Sequence, residues 1–291
     1  MILTCPRDRV KEDTGRVLFD CGGPMYKRAC ILSGEGAKGA WQSSVLCHQN
    51  KRYDLMVGVS SGACNAALYA ILGTALADFT SQITKFSDLF AFNWRFLFDS
   101  GMFTPAPMMK RISDAIVGLP FQTKVVFPTI CCKTRQLIFH TFEEGHICDE
   151  DDARVITSAG AIAGVIHAVD GMVDGGFRTL CPIKMAIDEG CDEIDVIIGQ
   201  CPTVPPEWPN PDERKFLNFA NFGVTIVGTM LWQIMANDIQ YAIRCNNELG
   251  KMKVKINCIF PEIDLGSPLA FNKCADMANL ELHPPVTISL E

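Results

Sequence analysis

Three glycine-bearing motifs occur along the chain in an order that suits acyl transfer to water. Residues 58–62 read GVSSG, the pattern of a nucleophile elbow, in which a sharp turn between a strand and a helix exposes Ser60. A serine that attacks an ester needs a base for its proton and N–H donors for the oxyanion. The motif DGG at 174–176 offers Asp174 as the base, and the motif GEGAKG at 34–39 offers the donors.

The surroundings of Ser60 favour a nucleophile elbow. An apolar run at 55–57 precedes the motif and an alanine-rich segment follows it, as a strand and a helix require. Gly58 and Gly62 flank the serine, where a strained backbone leaves no room for side chains. The start of a helix beneath Ser60 would also favour negative charge on its oxygen. The alternative is an ordinary turn between a strand and a helix.

The glycine-rich segment 34–39 has two interpretations. Its GxGxxG spacing is typical of dinucleotide binding, but that fold expects an acidic residue at the end of the second strand, and Asp54 begins it. A P-loop is excluded because no G-K-[ST] sequence is present. The other interpretation is an oxyanion hole into which the amides of Gly36, Ala37 and Lys38 point. The whole candidate loop comprises Gly34, Glu35, Gly36, Ala37, Lys38 and Gly39.

Asp174 on its own could belong to a simple Asp-Gly turn. In combination with a serine elbow it becomes the candidate base, since Gly175 and Gly176 would let backbone amides approach and orient its carboxylate. A triad in the chain order serine, acid, histidine would require His283, which follows Asp174 but is more typical of a loop histidine. A serine–aspartate dyad is therefore favoured, with the pKa of the carboxylate adjusted by partial burial.

These three motifs together resemble those of the patatin-like phospholipase family, which carries GxGx[KR]G, GxSxG and DG[GA] in this order. Further likeness lies in SAGAIAGVIHAV at 158–169 and PIKMAIDEGCDEIDVI at 182–197. Two positions depart from the family pattern. Glu35 replaces a usual glycine of the oxyanion loop, and Leu180 stands where an asparagine often provides a supporting hydrogen bond.

The resemblance implies an α/β fold of three layers, α/β/α, with a central and mostly parallel sheet. It also implies a Ser60–Asp174 dyad that needs no metal or other cofactor. The substrate class would be a phospholipid or another acyl lipid, reached through transient contact with a membrane surface.

Composition bounds the remaining possibilities. Hydrophobic residues make up 48% of the 291 residues and charged residues 20%, which is typical of a folded globular protein. The net charge of −7 argues against nucleic acid as the main partner. Fourteen cysteines without a CxxC pair, together with charge soon after the N-terminus, indicate reduced thiols and no secretory signal. The expected location is cytoplasmic, with peripheral contact to membranes.

Short apolar runs alternate with helical segments, which predicts parallel strands joined by crossover helices. Residues 1–27 are expected to form an irregular arm with a short strand at 17–19, and residues 28–291 a single domain. Strands are predicted at 28–32, 55–59, 124–133, 136–142, 166–169, 172–173, 194–198 and 254–260. Helices are predicted at 38–49, 61–72, 108–117, 150–158, 183–188, 212–249 (broken near Gly223 or Gly228) and 267–279.

The segment 78–98 is rich in phenylalanine. Phe79, Phe86 and Phe90 fall at helical spacing, which predicts a helix that faces the core, followed by an exit loop. The functional alternative is a mobile aromatic cap that meets acyl chains.

The sequence therefore predicts a serine carboxylic-ester hydrolase of the phospholipase A or lysophospholipase type. A silent lipid-binding relative, a nucleotide-dependent oxidoreductase and an acyltransferase or thioesterase remain as alternatives. Head-group preference, the position of the cleaved chain, oligomeric state and any activating partner stay open at this level.

Overall fold

A computed structural model describes residues 27–203, 218–250, 253–267 and 270–290. Residues 1–26 of the expected arm, with the predicted strand at 17–19, lie outside these ranges. The strands are β1 (Arg28–Leu32), β2 (Leu55–Gly58), β3 (Ala91–Phe92), β4 (Gly101–Thr104), β5 (Lys124–Cys131), β6 (Leu137–Phe142), β7 (Gly164–Ile166), β8 (Met172–Asp174), β9 (Glu193–Ile197), β10 (Lys255–Pro261) and β11 (Pro285–Ser289). The α-helices are α1 (Gly39–Gln49), α2 (Ser61–Leu72), α3 (Leu76–Ser81), α4 (Ala106–Ile116), α5 (Glu150–Ala159), α6 (Ile183–Asp188), α7 (Asn218–Glu248) and α8 (Cys274–Met277).

The described residues form one large sheet and one small sheet. The large sheet has the strand order β11-β10-β9-β1-β2-β5-β6, and β8 pairs with β5 beside this path. Strands β10, β9, β1, β2 and β5 run parallel, whereas β11, β6 and β8 are antiparallel to their neighbours. The small sheet has the order β3-β4-β7. The predicted central and mostly parallel sheet is confirmed.

Alternation along β1 shows why helices cover both faces. Ala29 and Ile31 belong to a core shared with α6 and α7, whereas Cys30 and Leu32 belong to a core shared with α1 and α2. Successive side chains of a strand point to opposite faces, so a strand that is apolar throughout needs cover on both sides. The three-layer α/β/α architecture expected from the resemblance follows.

The sheet brings the three motifs to one edge. Leu32 of β1 pairs with Gly58 of β2 in parallel register, so the segments that follow the two strands leave the sheet side by side. Asp174 at the end of β8 pairs with Thr129 of β5, and β5 is the other neighbour of β2. Ligands of open α/β sheets bind at the carboxyl ends of such parallel strands.

At the C-terminal side, the helix predicted at 267–279 is wrong, and the long helix predicted at 212–249 is present without the break considered near Gly223 or Gly228. The helix expected at 267–279 is reduced to a short 3-10 turn, Phe271–Lys273, and to α8, and the chain then forms β11, which pairs antiparallel with β10. Helix α7 is continuous from Asn218 to Glu248, with no break at Gly223 or Gly228, whereas residues 212–217 of the predicted helix lie outside the described ranges. A glycine inside a helix costs only about 1 kcal/mol relative to alanine, which packing of α7 on the sheet outweighs.

The predicted continuous helix through Phe79, Phe86 and Phe90 is also wrong. These residues lie on α3, on a 3-10 turn and just before β3, because the Asp88 carboxylate accepts hydrogen bonds from the amides of Thr84 and Lys85 and turns the chain. The stretch Ser61–Ser81 is long and apolar enough to cross a membrane, but half of its most apolar window is buried within the protein. A core helix of a soluble protein passes the same test, so this is weak evidence for a span.

Candidate active site

Ser60 lies at the turn between β2 and α2 with backbone angles φ 54° and ψ −126°. A positive φ is uncommon for a residue with a side chain and indicates stored strain. Backbone hydrogen bonds hold the turn, since the amide of Gly62 donates to the Val59 carbonyl at 2.8 Å and that of Ala63 donates to the Ser60 carbonyl at 3.0 Å. The geometry is that of a nucleophile elbow.

The glycines on either side of Ser60 are required by close packing. A Cβ atom on Gly58 would lie 2.2 Å from the Gly62 carbonyl oxygen, and one on Gly62 would lie 2.3 Å from the Leu32 carbonyl oxygen. Both contacts are with backbone, which cannot move aside as a flexible side chain can. The elbow therefore sits directly on the end of β1.

The Asp174 carboxylate is buried beside the serine. It is 4% exposed, Ser60 is 8% exposed, and Asp174 Oδ1 accepts a hydrogen bond from the Gly176 amide at 2.8 Å. Burial raises the pKa of Asp174 to about 6, and hydrogen bonds from the Ser60 side chain and the Gly176 amide limit that rise. A carboxylate with this pKa is ionised at neutral pH and can still accept a proton.

The glycines after Asp174 allow a compact turn. A Cβ atom on Gly175 would lie 2.6 Å from the Pro128 carbonyl oxygen, so the turn packs closely on β5. A Cβ atom on Gly176 would lie 3.0 Å from a methyl group of Leu180 and 3.1 Å from Asp174 Oδ1. Glycine at both positions permits this packing, and the hydrogen bond from the Gly176 amide orients the carboxylate.

The candidate oxyanion loop packs against the elbow, since a Cβ atom on Gly34 would lie 2.8 Å from the Cβ atom of Ser60. The amide of Glu35 donates to Ser61 Oγ at 3.2 Å, and that of Lys38 donates to the Glu35 carbonyl at 3.3 Å. The sequence predicted that the Lys38 amide points into an oxyanion hole, but in the structure this amide donates its hydrogen bond to a carbonyl of the loop itself.

Gly36 and Ala37 begin a 3-10 turn, where N–H groups have no partner within the turn, and both residues line the pocket next to Ser60. Gly36 has φ 59°, a conformation that favours glycine. Ser61, which sequence reasoning missed, accepts the Glu35 amide and so ties the loop to the first turn of α2.

Glu35 points its carboxyl group into a buried polar contact. Ser33 Oγ donates to Glu35 Oε1 at 2.8 Å, and Oε2 lies against Gly199, where a Cβ atom would come within 2.1 Å of it. Burial raises the pKa of Glu35 to about 7, and the Lys38 ammonium, Ser33 and the Gly199 amide limit the rise. The Lys38 Nζ lies 3.5 Å from the Asp264 carboxylate.

A carboxylate from α7 supports the segment after the DGG motif. Oδ2 of Asp238 accepts hydrogen bonds from the Thr179 hydroxyl at 3.0 Å, the Leu180 amide at 2.8 Å and the Cys181 amide at 2.9 Å. Sequence reasoning missed Asp238, because a single aspartate in a long helix carries no signal of a distant partner. This contact is made at Leu180, one of the two departures from the family pattern.

An apolar pocket leads away from Ser60. It has about 880 Å³ of empty space, a volume that includes the part open to solvent. Gly36, Ala37, Ser60 and Ser61 line one part of the wall. The remaining wall is mostly apolar and includes Leu68, Phe79, Ile83, Phe86, Leu89, Phe90, Met108, Ile112, Ile162, Val165, Ile166 and Phe271.

None of the described residues that line this pocket is a histidine. The backbone carbonyl of His283 accepts a hydrogen bond from Trp41 Nε1 at 2.9 Å, which fixes the C-terminal loop against α1. Within the described ranges no group of three or more His, Cys, Asp or Glu side chains is arranged to hold a metal ion. Besides Ser60, the polar side chains among the described residues that line the pocket are those of Ser61, Asn65 and Thr80.

No curated protein matches the chain significantly. The profile of the patatin-like phospholipase family matches residues 31–187, which is more than half of the chain and includes all three motifs. The chain belongs to the patatin-like phospholipase family, whose members act on lipids.

Proposed function

We propose that the protein is a serine carboxylic-ester hydrolase that cleaves fatty-acyl esters of phospholipids or related lipids through Ser60 and Asp174. One observation carries the proposal: a serine in a strained elbow lies beside a buried carboxylate and lines the wall of an apolar pocket. The pocket suits an acyl chain, because its lining is apolar apart from the region of the elbow and the loop. Within this class we propose phospholipase A or lysophospholipase activity.

In the first half of the reaction, Ser60 Oγ attacks the ester carbonyl carbon while the Asp174 carboxylate accepts the hydroxyl proton. The carbonyl oxygen becomes an oxyanion, which the amides of Gly36 and Ala37 stabilise by hydrogen bonds. The tetrahedral intermediate then collapses, the C–O bond to the alcohol breaks, and Asp174 gives its proton to the departing alkoxide. The product of this half is an acyl group on Ser60.

In the second half, water attacks the acyl carbon and Asp174 accepts a proton from it. Collapse of the second intermediate breaks the bond to Ser60 Oγ, which recovers the proton from Asp174 as the fatty acid leaves. No other base is needed. An alcohol in place of water would give acyl transfer with the same groups.

Labelling by a fluorophosphonate tests the proposal, since only an activated serine reacts with it. We expect labelling of the full-length protein at Ser60, no labelling of Ser60→Ala, and full labelling of the control Ser81→Ala, whose hydroxyl bonds only to its own helix. Lipid profiling of a mixed bilayer extract with the wild type and Ser60→Ala would identify the substrate. Normal hydrolysis of a short-chain nitrophenyl ester by Ser60→Ala would overturn the proposal.

A lipid-binding relative without turnover is the second candidate, and Glu35 favours it. An ionised carboxylate in the oxyanion loop opposes the build-up of negative charge nearby. The same labelling experiment separates the two candidates, because a silent relative leaves Ser60 unlabelled.

We further propose that residues 28–291 form one catalytic domain, since both hydrophobic cores share the large sheet. A cytoplasmic location with peripheral membrane contact is proposed as well. All cysteines in the described ranges are free thiols, which suits a reducing compartment.

A further inference from the structure

The hairpin at 91–104, here called the aromatic hairpin, exposes large apolar side chains at its tip. Trp94 is 88% exposed, Leu97 77% and Phe98 89%, the three highest values among the large hydrophobic residues that the structure describes. Phe92 and Met102, at the base, are also more than 40% exposed. A contiguous exposed apolar patch of this kind marks an interaction surface.

The tip is held by its own hydrogen bonds. The Asn93 amide donates to the Met102 carbonyl at 2.9 Å, and its side chain donates to the Gly101 carbonyl at 3.0 Å and to Asp99 at 3.1 Å. The Phe98 amide donates to the Arg95 carbonyl at 2.8 Å. These bonds satisfy backbone groups internally, which a segment that enters an apolar medium requires.

A chain of aromatic contacts connects the tip to the proposed active site. The ring centroids of Trp94 and Phe92 lie 4.9 Å apart, and those of Phe92 and Phe103 lie 6.0 Å apart. The ring centroids of Phe103 and Phe86 lie 4.8 Å apart. Phe86 lines the pocket. Val165, on β7 next to the aromatic hairpin, both lines the pocket and is 39% exposed. Packed aromatic rings and Val165 thus connect the apolar tip to the wall of the pocket.

Charge narrows the class of partner. Residues 91–104 carry one cation, Arg95, and one anion, Asp99, so the aromatic hairpin is neutral on a chain of net charge −7. Such a tip has no attraction to anionic lipid or to an acidic protein. Tryptophan at an apolar–aqueous boundary, with leucine and phenylalanine beside it, is typical of segments that enter the interfacial layer of a membrane.

We propose that the aromatic hairpin docks the protein on a zwitterionic lipid surface, with Trp94, Leu97 and Phe98 inserted at the level of the head groups. This inference rests on the proposed function, because docking there brings the apolar mouth of the pocket to the lipid. An acyl chain then passes from the bilayer along the aromatic contacts to Ser60 without crossing water.

Binding to phosphatidylcholine vesicles tests the docking surface. The variant Trp94→Ser/Leu97→Ser/Phe98→Ser, on a Ser60→Ala background that leaves vesicles intact, is expected to bind about tenfold or more weakly than Ser60→Ala alone. Its thermal midpoint should be unchanged, since the three side chains are exposed. The control Ile147→Ser/Met230→Ser/Leu282→Ser removes three other apolar side chains that are 54–63% exposed and should bind as before.

A second measurement locates the contact. Vesicles of dibrominated phosphatidylcholine should quench part of the tryptophan fluorescence, and Trp94→Phe should lose that part while still binding. Added anionic lipid should not strengthen binding.

Each other outcome overturns the docking proposal. Unaltered binding of the triple variant, absence of wild-type binding, or quenching that survives in Trp94→Phe would do so. A dimer in solution that the triple variant converts to monomer would assign the aromatic hairpin to a second copy of this chain instead. Hydrolysis of a soluble short-chain ester by the wild type tests the proposed function independently of membrane binding. Absence of that activity would refute the proposed function and not the docking surface.

Discussion

The amide of Leu180 donates to Asp238 Oδ2 at 2.8 Å and thereby joins helix α7 to the turn that follows Asp174. The same oxygen accepts from Thr179 and Cys181, so one carboxylate holds three consecutive residues. Leu180 itself is buried and packs on Gly176, where a side-chain amide would be placed against apolar neighbours. The helix that supplies this carboxylate lies beyond the matched family region.

Removal of the Asp238 carboxylate should destabilise the protein and the site together. Asp238→Ala loses three hydrogen bonds to a charged acceptor, and we expect a loss of about 2–4 kcal/mol in the free energy of unfolding, with a lower kcat on a soluble ester. Asp238→Asn keeps one acceptor oxygen and should lose about half as much. Urea unfolding and steady-state kinetics measure both effects. An Asp238→Ala protein of wild-type stability would show that the contact contributes nothing.

Activity should rise with pH through about 6, because only the ionised form of Asp174, whose pKa is about 6, accepts the Ser60 proton. Asp174→Asn should lower kcat/KM by about a thousandfold or more and abolish this rise. The pH profile of kcat/KM measures it, with the rate of fluorophosphonate labelling where turnover is too slow. Asp188→Asn, on the surface of α6, is the control and should retain the profile. If kcat/KM of Asp174→Asn still rose through about pH 6, that rise would reflect the ionisation of another group.

Glu35 should make stability depend on pH. Its folded-state pKa of about 7 lies above the ordinary value of 4.5, so the folded protein binds this proton more tightly than the unfolded chain. The contribution to stability is fully present below about pH 4.5 and is lost as the pH rises through about 7. Glu35→Gln stays uncharged and keeps an acceptor for Ser33, so at pH 8 it should exceed the wild type by up to about 3 kcal/mol and match it near pH 4.5.

Urea unfolding across pH 4.5–8 measures the difference between Glu35→Gln and the wild type. Glu281→Gln, on the surface, serves as the control and should run parallel to the wild type. Parallel curves for Glu35→Gln as well would mean that Glu35 titrates in the folded protein as it does in the unfolded chain.

Two glycine-to-alanine variants should act in opposite directions. In Gly62→Ala the new methyl group meets the Leu32 carbonyl at 2.3 Å, and we expect destabilisation of about 3 kcal/mol or more with loss of Ser60 labelling. In Gly228→Ala, within α7, it meets nothing within 4 Å and should stabilise by about 1 kcal/mol. Thermal unfolding compares them. Equal stabilities would refute the close packing of the elbow on β1.

The features predicted from the sequence are those encoded in contiguous residues. Strand β1 and helices α2 and α6 have the predicted bounds. A serine follows β1, a glycine follows α2 and a proline precedes α6, and each of these residues marks a boundary in the sequence. The three motifs were recognisable for the same reason, since each is a short local pattern. The family and the three-layer fold follow from them and are confirmed.

The features that escaped prediction depend on partners distant in the chain. Strand β11 forms because β10 offers an edge, and Asp238 matters because α7 crosses the turn at Leu180. Neither signal is present in the local sequence. The aromatic residues Phe79, Phe86 and Phe90 had helical spacing, yet tertiary packing placed them on separate elements around one pocket. Spacing along the sequence cannot distinguish residues on one buried face of a helix from residues that separate elements bring together around a pocket.

Glu35 and Gly199 restrict one another across the end of the sheet. The carboxyl group occupies the volume that any side chain at position 199 would need. Glycine at position 35 would remove this contact, but a Cβ atom at position 199 would still lie 2.9 Å from the Lys38 Cβ atom. Once Glu35 is in place, a side chain at position 199 is accommodated only if position 35 changes first. The substitution history of these two sites should therefore be ordered and epistatic.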